Sequence, residues 1–233
     1  MEKFVDLHVH STISDGTFTP EELVSYALQK GLSAFALTDH DTTDGISAAQ
    51  KAAQNTGLEV VPGIELSTTW QNRDVHIVGL DIDWSKEAFQ KTLREFKASR
   101  ELRNDKVLAL LQKENIDITR KEMEKSFPDS VWTRAHFARF LLEHHYVGSF
   151  DRYLGDHARC YVPREKVTPA QAIELIHQGG GKAIFAHPLL CRLSKERLES
   201  FLDILKKAGL DGMETVYSTY TPADQIRMTK LAK

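Results

Sequence analysis

The sequence predicts an α/β fold built on a largely parallel sheet, and three observations lead there. Short apolar runs alternate with amphipathic stretches, as in consecutive βα units. Helix starts carry a repeated signature. Thr19-Pro20-Glu21-Glu22 puts a hydroxyl at the N-cap, proline at the first helical position and Glu where it closes a capping box; Thr168-Pro169-Ala170-Gln171 repeats it, and Thr221-Pro222-Ala223-Asp224 nearly does. Gly31 and Gly57 stand where a helix should stop before the next strand.

Taken in order, the expected strands are Phe4–Leu7, Ala34–Thr38, Glu59–Pro62, His76–Asp81, Ala183–Ala186 and Gly212–Val216. The alternation breaks between about residues 85 and 166. There, Ser85 to Asn115 reads as one long helix with an irregular apolar stripe (Leu93, Phe96, Leu102, Val107, Leu110, Leu111). Thr119-Arg120-Lys121-Glu122 opens a second helix by a capping box, and Thr133 to His144 makes a third. The expected organisation is therefore a first barrel part over residues 1–84, a helical insertion over 85–166 that walls the site, and a second barrel part over 167–233. Gly179-Gly180-Gly181-Lys182 is not a phosphate loop, because a strand follows it rather than a helix.

Bulk properties narrow the class. The 233 residues are 41% apolar and 27% charged, ordinary for a globular protein. A net charge of −3 argues against a broad nucleic-acid surface, so a polyanion must be met locally by metals and a few arginines. Two cysteines, Cys160 and Cys191, lack CxxC spacing, which leaves neither a disulfide framework nor a thiolate zinc site. No apolar stretch approaches a membrane span and no signal-peptide core opens the chain, so the expected location is the cytoplasm.

The chemistry lies at the strand ends. Asp6-Leu7-His8-Val9-His10-Ser11 carries two histidines at i and i+2, which share one face of a strand and can reach one ion together. Asp15 follows in a Ser14-Asp15-Gly16 turn able to fold a carboxylate back over the strand end. His40 in Thr38-Asp39-His40-Asp41, Glu65 in Gly63-Ile64-Glu65, His76 in Val75-His76-Ile77 and His187 in Ala186-His187-Pro188 close further apolar runs. A lone histidine is more often a satisfied polar group than a ligand. Five at strand ends beside two acids, without thiolate, instead indicate a catalytic site for Mn²⁺, Fe²⁺ or Zn²⁺, with Glu65 as the bridging carboxylate. His144, His145 and His177 lie off the strand ends and read as surface groups.

These motifs resemble the signatures of the PHP (polymerase and histidinol phosphatase) phosphoesterases. Val75–Leu80, Thr133–Leu141 and Tyr161-Val162-Pro163 narrow the resemblance to the bacterial subgroup with RNase AM and the 3′,5′-nucleoside bisphosphate phosphatases. The resemblance implies a distorted (β/α)7 barrel holding two or three ions, usually Mn²⁺, at the C-terminal rim of the strands. His8 and His10 would hold the first ion, Glu65 would bridge to a second completed by His76 and His187, and Asp15 and His40 would hold the third. It also implies a last strand bearing a Ser-Asp-x-His motif. These 233 residues contain no such motif, so the chain reads as truncated there, short of that strand and two ligands.

Two ions roughly 3.5–4 Å apart lower the pKa of a shared water and align phosphoryl oxygens for direct attack. The expected catalytic group is thus a metal-held hydroxide at Glu65 and the neighbouring ligands. Fixed cations should hold substrate phosphate. The resemblance places those contacts at Arg103, Asn104 and Lys106 on the long helix, and at Arg134 and His136 near the start of another. The implied activity is 5′-3′ exoribonuclease action on short 5′-phosphorylated RNA, 3′,5′-nucleoside bisphosphate phosphatase action, or both. A histidinol-phosphatase-type enzyme is the alternative in the same class, disfavoured because a monophosphate needs fewer cations. An inactive metal- or nucleotide-binding domain is the alternative outside it, resting on the missing motif. No stable protein partner is expected.

Overall fold

The computed structural model of this chain describes residues 3–146, 150–155, 158–162 and 167–233. Pro163 of the Tyr161-Val162-Pro163 motif and the boundary expected at residue 166 fall outside them. Among the described residues, six strands form one sheet in sequence order, curled into a half barrel. β1 (Phe4–Val9), β2 (Leu32–Leu37) and the start of β3 (Glu59–Trp70) run parallel. β3 then doubles back into β4 (Arg73–Leu80), which pairs antiparallel with it and with β5 (Lys182–Phe185); β5 pairs parallel with β6 (Gly212–Met213).

The sheet is therefore mixed, where the sequence pattern predicts a largely parallel one. The cause is the β3–β4 turn. Gln71 (φ 47°) and Asn72 (φ 61°) both take left-handed backbone, the conformation of a two-residue hairpin turn whose twist matches the flanking strands. Strand bounds also differ from expectation, by one to three residues in β1, β2, β4 and β5. β3 extends eight residues beyond Pro62, and β6 stops at Met213 rather than Val216.

The capping signatures fold as the sequence predicts. α1 (Pro20–Gln29), α4 (Arg120–Ser126), α6 (Pro169–Gln178) and α8 (Pro222–Leu231) each open with a complete capping box on Thr19, Thr119, Thr168 and Thr221. α2 (Ile46–Ala53) and α7 (Lys195–Lys207) fill the remaining crossovers, and α3 (Glu87–Lys113) and α5 (Arg134–Glu143) are the other expected helices. Lys30 and Gly31 end α1, with Gly31 at φ +73°.

Among the described residues, the buried apolar side chains form three clusters. One joins β3 to β5 with α6, α7, α8 and the first turns of α3 through Phe89 and Leu93. A second seats α1 and α2 on β2 through Leu23, Phe35 and Ala49. The third lies wholly within residues 107–160, where Leu111, Ile118, Met123, Phe137 and Phe140 pack together. α3 thus spans two cores, its first half on the sheet and its second half on α4 and α5. Among the described residues, no helix is long and apolar enough to cross a membrane.

Candidate metal centre

The strand ends gather every histidine and carboxylate that the sequence singles out as a ligand. His8 lies on β1 and His10 just past it, and His40 follows β2 and bridges in parallel to Glu65 of β3. His76 sits on β4 opposite Ser67, and His187 follows β5, where the Ala186 N–H donates to the His76 carbonyl. The loop that carries Asp15 back over β1 is tied to buried Asp39. That carboxylate accepts from the Ser11 N–H (2.7 Å), the Ser11 hydroxyl (2.6 Å) and the Ser14 hydroxyl (2.6 Å). Gly16 lets the turn close, since a Cβ there would meet the His10 carbonyl oxygen at 2.2 Å.

Glu65, 1% exposed, is the hub. Its Oε2 lies 3.3 Å from His8 Nε2, 3.2 Å from His10 Nε2 and 3.0 Å from His40 Nδ1, and its Oε1 lies 2.9 Å from His76 Nδ1 and 2.8 Å from His187 Nε2. His8 Nε2 and His10 Nε2 are themselves 3.1 Å apart. These three donor atoms form a nearly equilateral triangle. Donors around one ion at about 2.1 Å stand roughly 3.0–3.4 Å from one another, so the triangle fits a shared metal. His10, Asp15 and His40 make a second ligand group, with Asp15 Oδ2 3.5 Å from His40 Nε2, and His40, Glu65 and His76 make a third. His40 Nδ1 is buried and close to Glu65 but out of hydrogen-bond alignment, and His187 Nδ1 is also buried without a hydrogen-bond partner. Five imidazoles crowded on one carboxylate, with no thiolate among them, are a donor set suited to divalent ions.

The electrostatics follow from this crowding. Burial opposes ionisation of Glu65, yet His40, His76 and the hydrogen bonds from His10 and His187 hold its carboxyl well below the usual range. Burial also opposes a charge on His8, but hydrogen bonds to Glu214 and Glu65 raise it to about 10. Burial dominates at His76 and lowers it to about 4. Asp15 is held down against burial by His40 and His10.

Glu214 has no motif to announce it in the sequence. It lies just past β6, its Oε1 accepts from His8 Nδ1 at 2.7 Å, and its Oε2 accepts from the His187 N–H at 2.5 Å. One carboxylate therefore fixes which His8 nitrogen faces the site and anchors the turn that presents His187. That turn is strained: His187 has φ 29° and ψ 61°, left-handed backbone directly before Pro188. A carboxylate on the far nitrogen of a ligand histidine sets its tautomer and ring orientation.

The residues expected at substrate phosphate are more dispersed. Arg103 and Asn104 are buried in α3, where Arg103 Nη1 donates to Asn104 Oδ1 (3.0 Å) and Asn104 Nδ2 donates to the Trp132 carbonyl (3.3 Å). Lys106 is exposed on the same helix. Arg134 is half-buried at the start of α5 and donates to Asp74 Oδ2 at 2.5 Å. His136 occupies the third position of α5, accepting from the Thr133 N–H at 2.9 Å and completing a capping box. Burial lowers it to about 4, so it caps as a neutral ring. Thr133 also donates to Asp15 Oδ2 (3.0 Å), which ties α5 to the ligand loop.

Comparison with known proteins fits this geometry. The model of the PHP domain matches residues 6–179. The chain belongs to the PHP-domain family. It is 38% identical to a 5′-3′ exoribonuclease of Haemophilus influenzae, covering 100% of this chain and 86% of that one. It is 31% identical to a 3′,5′-nucleoside bisphosphate phosphatase of Chromobacterium violaceum, covering 94% and 79%. Among solved structures, an amidohydrolase from Chromobacterium violaceum with bound sulfate and no metal superposes at a TM-score of 0.91, with 30% identity over 97% of this chain and 82% of that one. Family and donor set agree on a metal-dependent phosphoester hydrolase.

Proposed function

We propose that this PHP-domain protein hydrolyses the 3′-phosphoester of a nucleotide that also carries a 5′-phosphate, with Mn²⁺ as the first-choice ion. Two substrates meet that description: a nucleoside 3′,5′-bisphosphate and the 5′ end of a short RNA. The proposal rests above all on Glu65, whose two oxygens face five imidazoles from four strands and the turns after them. In this reading His8 and His10 would hold one ion, His76 and His187 a second, Asp15 and His40 a third, with Glu65 as the carboxylate shared by the first two. Bound ions supply electrophilic pull on the phosphoryl oxygens and lower the pKa of the attacking water.

The chain's own residues do the rest. Glu65, ionised despite its burial, supplies negative charge against the bound ions, which the neutral imidazoles do not. Arg134, at the mouth of α5, receives the 5′-phosphate as a fixed cation by exchanging part of its pairing with Asp74. Arg103, Asn104 and Lys106 shape the wall behind it, and His136 faces the Asp15 side of the site. Attack of water on phosphorus breaks the bond to O3′, which leaves as the hydroxyl of the released 5′-nucleotide. The names of the similar exoribonuclease and bisphosphate phosphatase support both substrates.

The test is release of phosphate from adenosine 3′,5′-bisphosphate and of 5′-nucleotide from a short 5′-phosphorylated RNA, with Mn²⁺ present. Turnover that disappears in His8→Ala is expected. Turnover that survives His8→Ala, or that needs no divalent ion, contradicts the reading.

A further inference from the structure

Beside the ligand cluster lies a hollow of about 410 Å³, within the roughly 300–1,000 Å³ of pockets that take small molecules. Its lining includes Asp15 and Gly16 of the ligand loop, Phe127 just past α4, and Ala135, His136 and Arg139 of α5. It therefore shares Asp15 with the candidate metal centre and lies between the ligand loop and α5.

α5 separates this hollow from the Arg134 side. Successive helix residues are about 100° apart, so Arg134 and His136 leave the helix in nearly opposite directions. Arg134 reaches Asp74, two residues before His76 on β4. His136 packs edge-on against Phe127, 4.7 Å between ring centroids, on the hollow's side. The order across the site is thus Arg134, then the histidines around Glu65, then Asp15, then the hollow. With a 5′-phosphate at Arg134 and the 3′-phosphoester on the central cluster, only the portion of a substrate downstream of that phosphoester can enter the hollow. A bisphosphate has no such portion; in RNA it is the next nucleoside.

The lining suits a base and sugar. The Arg139 guanidinium donates from Nε to Glu143 Oε1 at 2.8 Å and lies over the Phe127 ring at 5.7 Å, and with the side chain 59% exposed its outer planar face is open to a stacking base. Bases stack on such arginine planes without regard to sequence. Ser130 and the neighbouring hydroxyls offer hydrogen-bond partners to a ribose. We infer that this hollow is the subsite for the downstream nucleoside of an RNA, and that it sets the preference for RNA over nucleoside bisphosphate. This inference rests on the phosphoesterase reading above and adds the residues that separate its two substrates.

The experiment compares a 5′-phosphorylated adenosine dinucleotide with adenosine 3′,5′-bisphosphate, using the full chain and Mn²⁺. Ala135→Trp fills the hollow from an exposed helix position, and Arg139→Ala removes the stacking plane from an exposed side chain. The expected result is a fall of about tenfold or more in the ratio of kcat/KM for the dinucleotide to that for the bisphosphate, in both variants, since stacking on one base is worth roughly 1–3 kcal/mol. Equilibrium binding of the two ligands to metal-free protein in EDTA should show the same loss for the dinucleotide. A ratio that stays within about twofold in either readout overturns the inference, as does a wild type that cleaves the bisphosphate and not the dinucleotide. A wild type inactive on both overturns the phosphoesterase reading first.

Discussion

Glu65 and Asp41 are buried carboxylates at the same end of the sheet, joined by a hydrogen bond from the Asp41 N–H to the Glu65 carbonyl at 3.0 Å. Their surroundings differ in kind. Asp41 accepts from Arg100 Nε at 2.8 Å, from Arg100 Nη2 and from the Ser67 N–H at 2.8 Å, and Arg100 donates its other hydrogens to the Trp132 carbonyl and the Ser67 hydroxyl. A permanent cation with each of its three nitrogens hydrogen-bonded closes that site. Glu65 instead meets five imidazoles, each of which can give up its proton and turn a lone pair to an ion. The partner's chemistry, more than burial, decides which carboxylate is structural and which is open to a ligand.

The comparison can be broken first at the structural carboxylate. Arg100→Met removes the fixed cation and leaves Asp41 buried without it, which should cost about 3–5 kcal/mol of unfolding free energy in urea denaturation. Arg100 also links α3 to the loop before α5, so the loss should loosen the helical segment from the sheet. A cost below about 1 kcal/mol would show that Asp41 is not held chiefly by Arg100.

A smaller effect sharpens the other side. Glu214→Gln keeps a side chain of the same shape but no longer fixes the His8 tautomer with a charge. Metal affinity should fall about 10- to 100-fold, read by titration with Mn²⁺, while the urea midpoint changes little. Unchanged affinity would make Glu214 a tether for the His187 turn and nothing more.

How much of this was legible in the sequence depends on the range of each interaction. His8 and His10 are visible because strand geometry converts i, i+2 spacing into a shared face, and His40 and His187 because they end apolar runs. Glu214 is invisible because its partner His8 is 206 residues away and no local pattern marks it. The antiparallel β4 escapes because Gln71-Asn72 makes its hairpin without the glycine that usually signals one. Buried Arg100 and Arg103 disturb the apolar stripe of α3, whose irregularity in the sequence is the trace of polar contacts made inward to Asp41 and Asn104. The His136 cap is unreadable for a related reason: its ring stands where a capping box ordinarily has Glu or Gln.

The most direct measurement is calorimetric titration of the purified chain with Mn²⁺, wild type against Glu65→Gln, in buffers of different ionisation enthalpy. The account predicts at least two ions per chain, with proton release near neutral pH because metal-free His8, held at about 10 by Glu214 and Glu65 despite its burial, must shed its proton to bind. It also predicts that Glu65→Gln abolishes the tight sites. Binding of equal strength and stoichiometry in Glu65→Gln, or no binding by the wild type, would contradict the claim that Glu65 and its histidines form the metal centre.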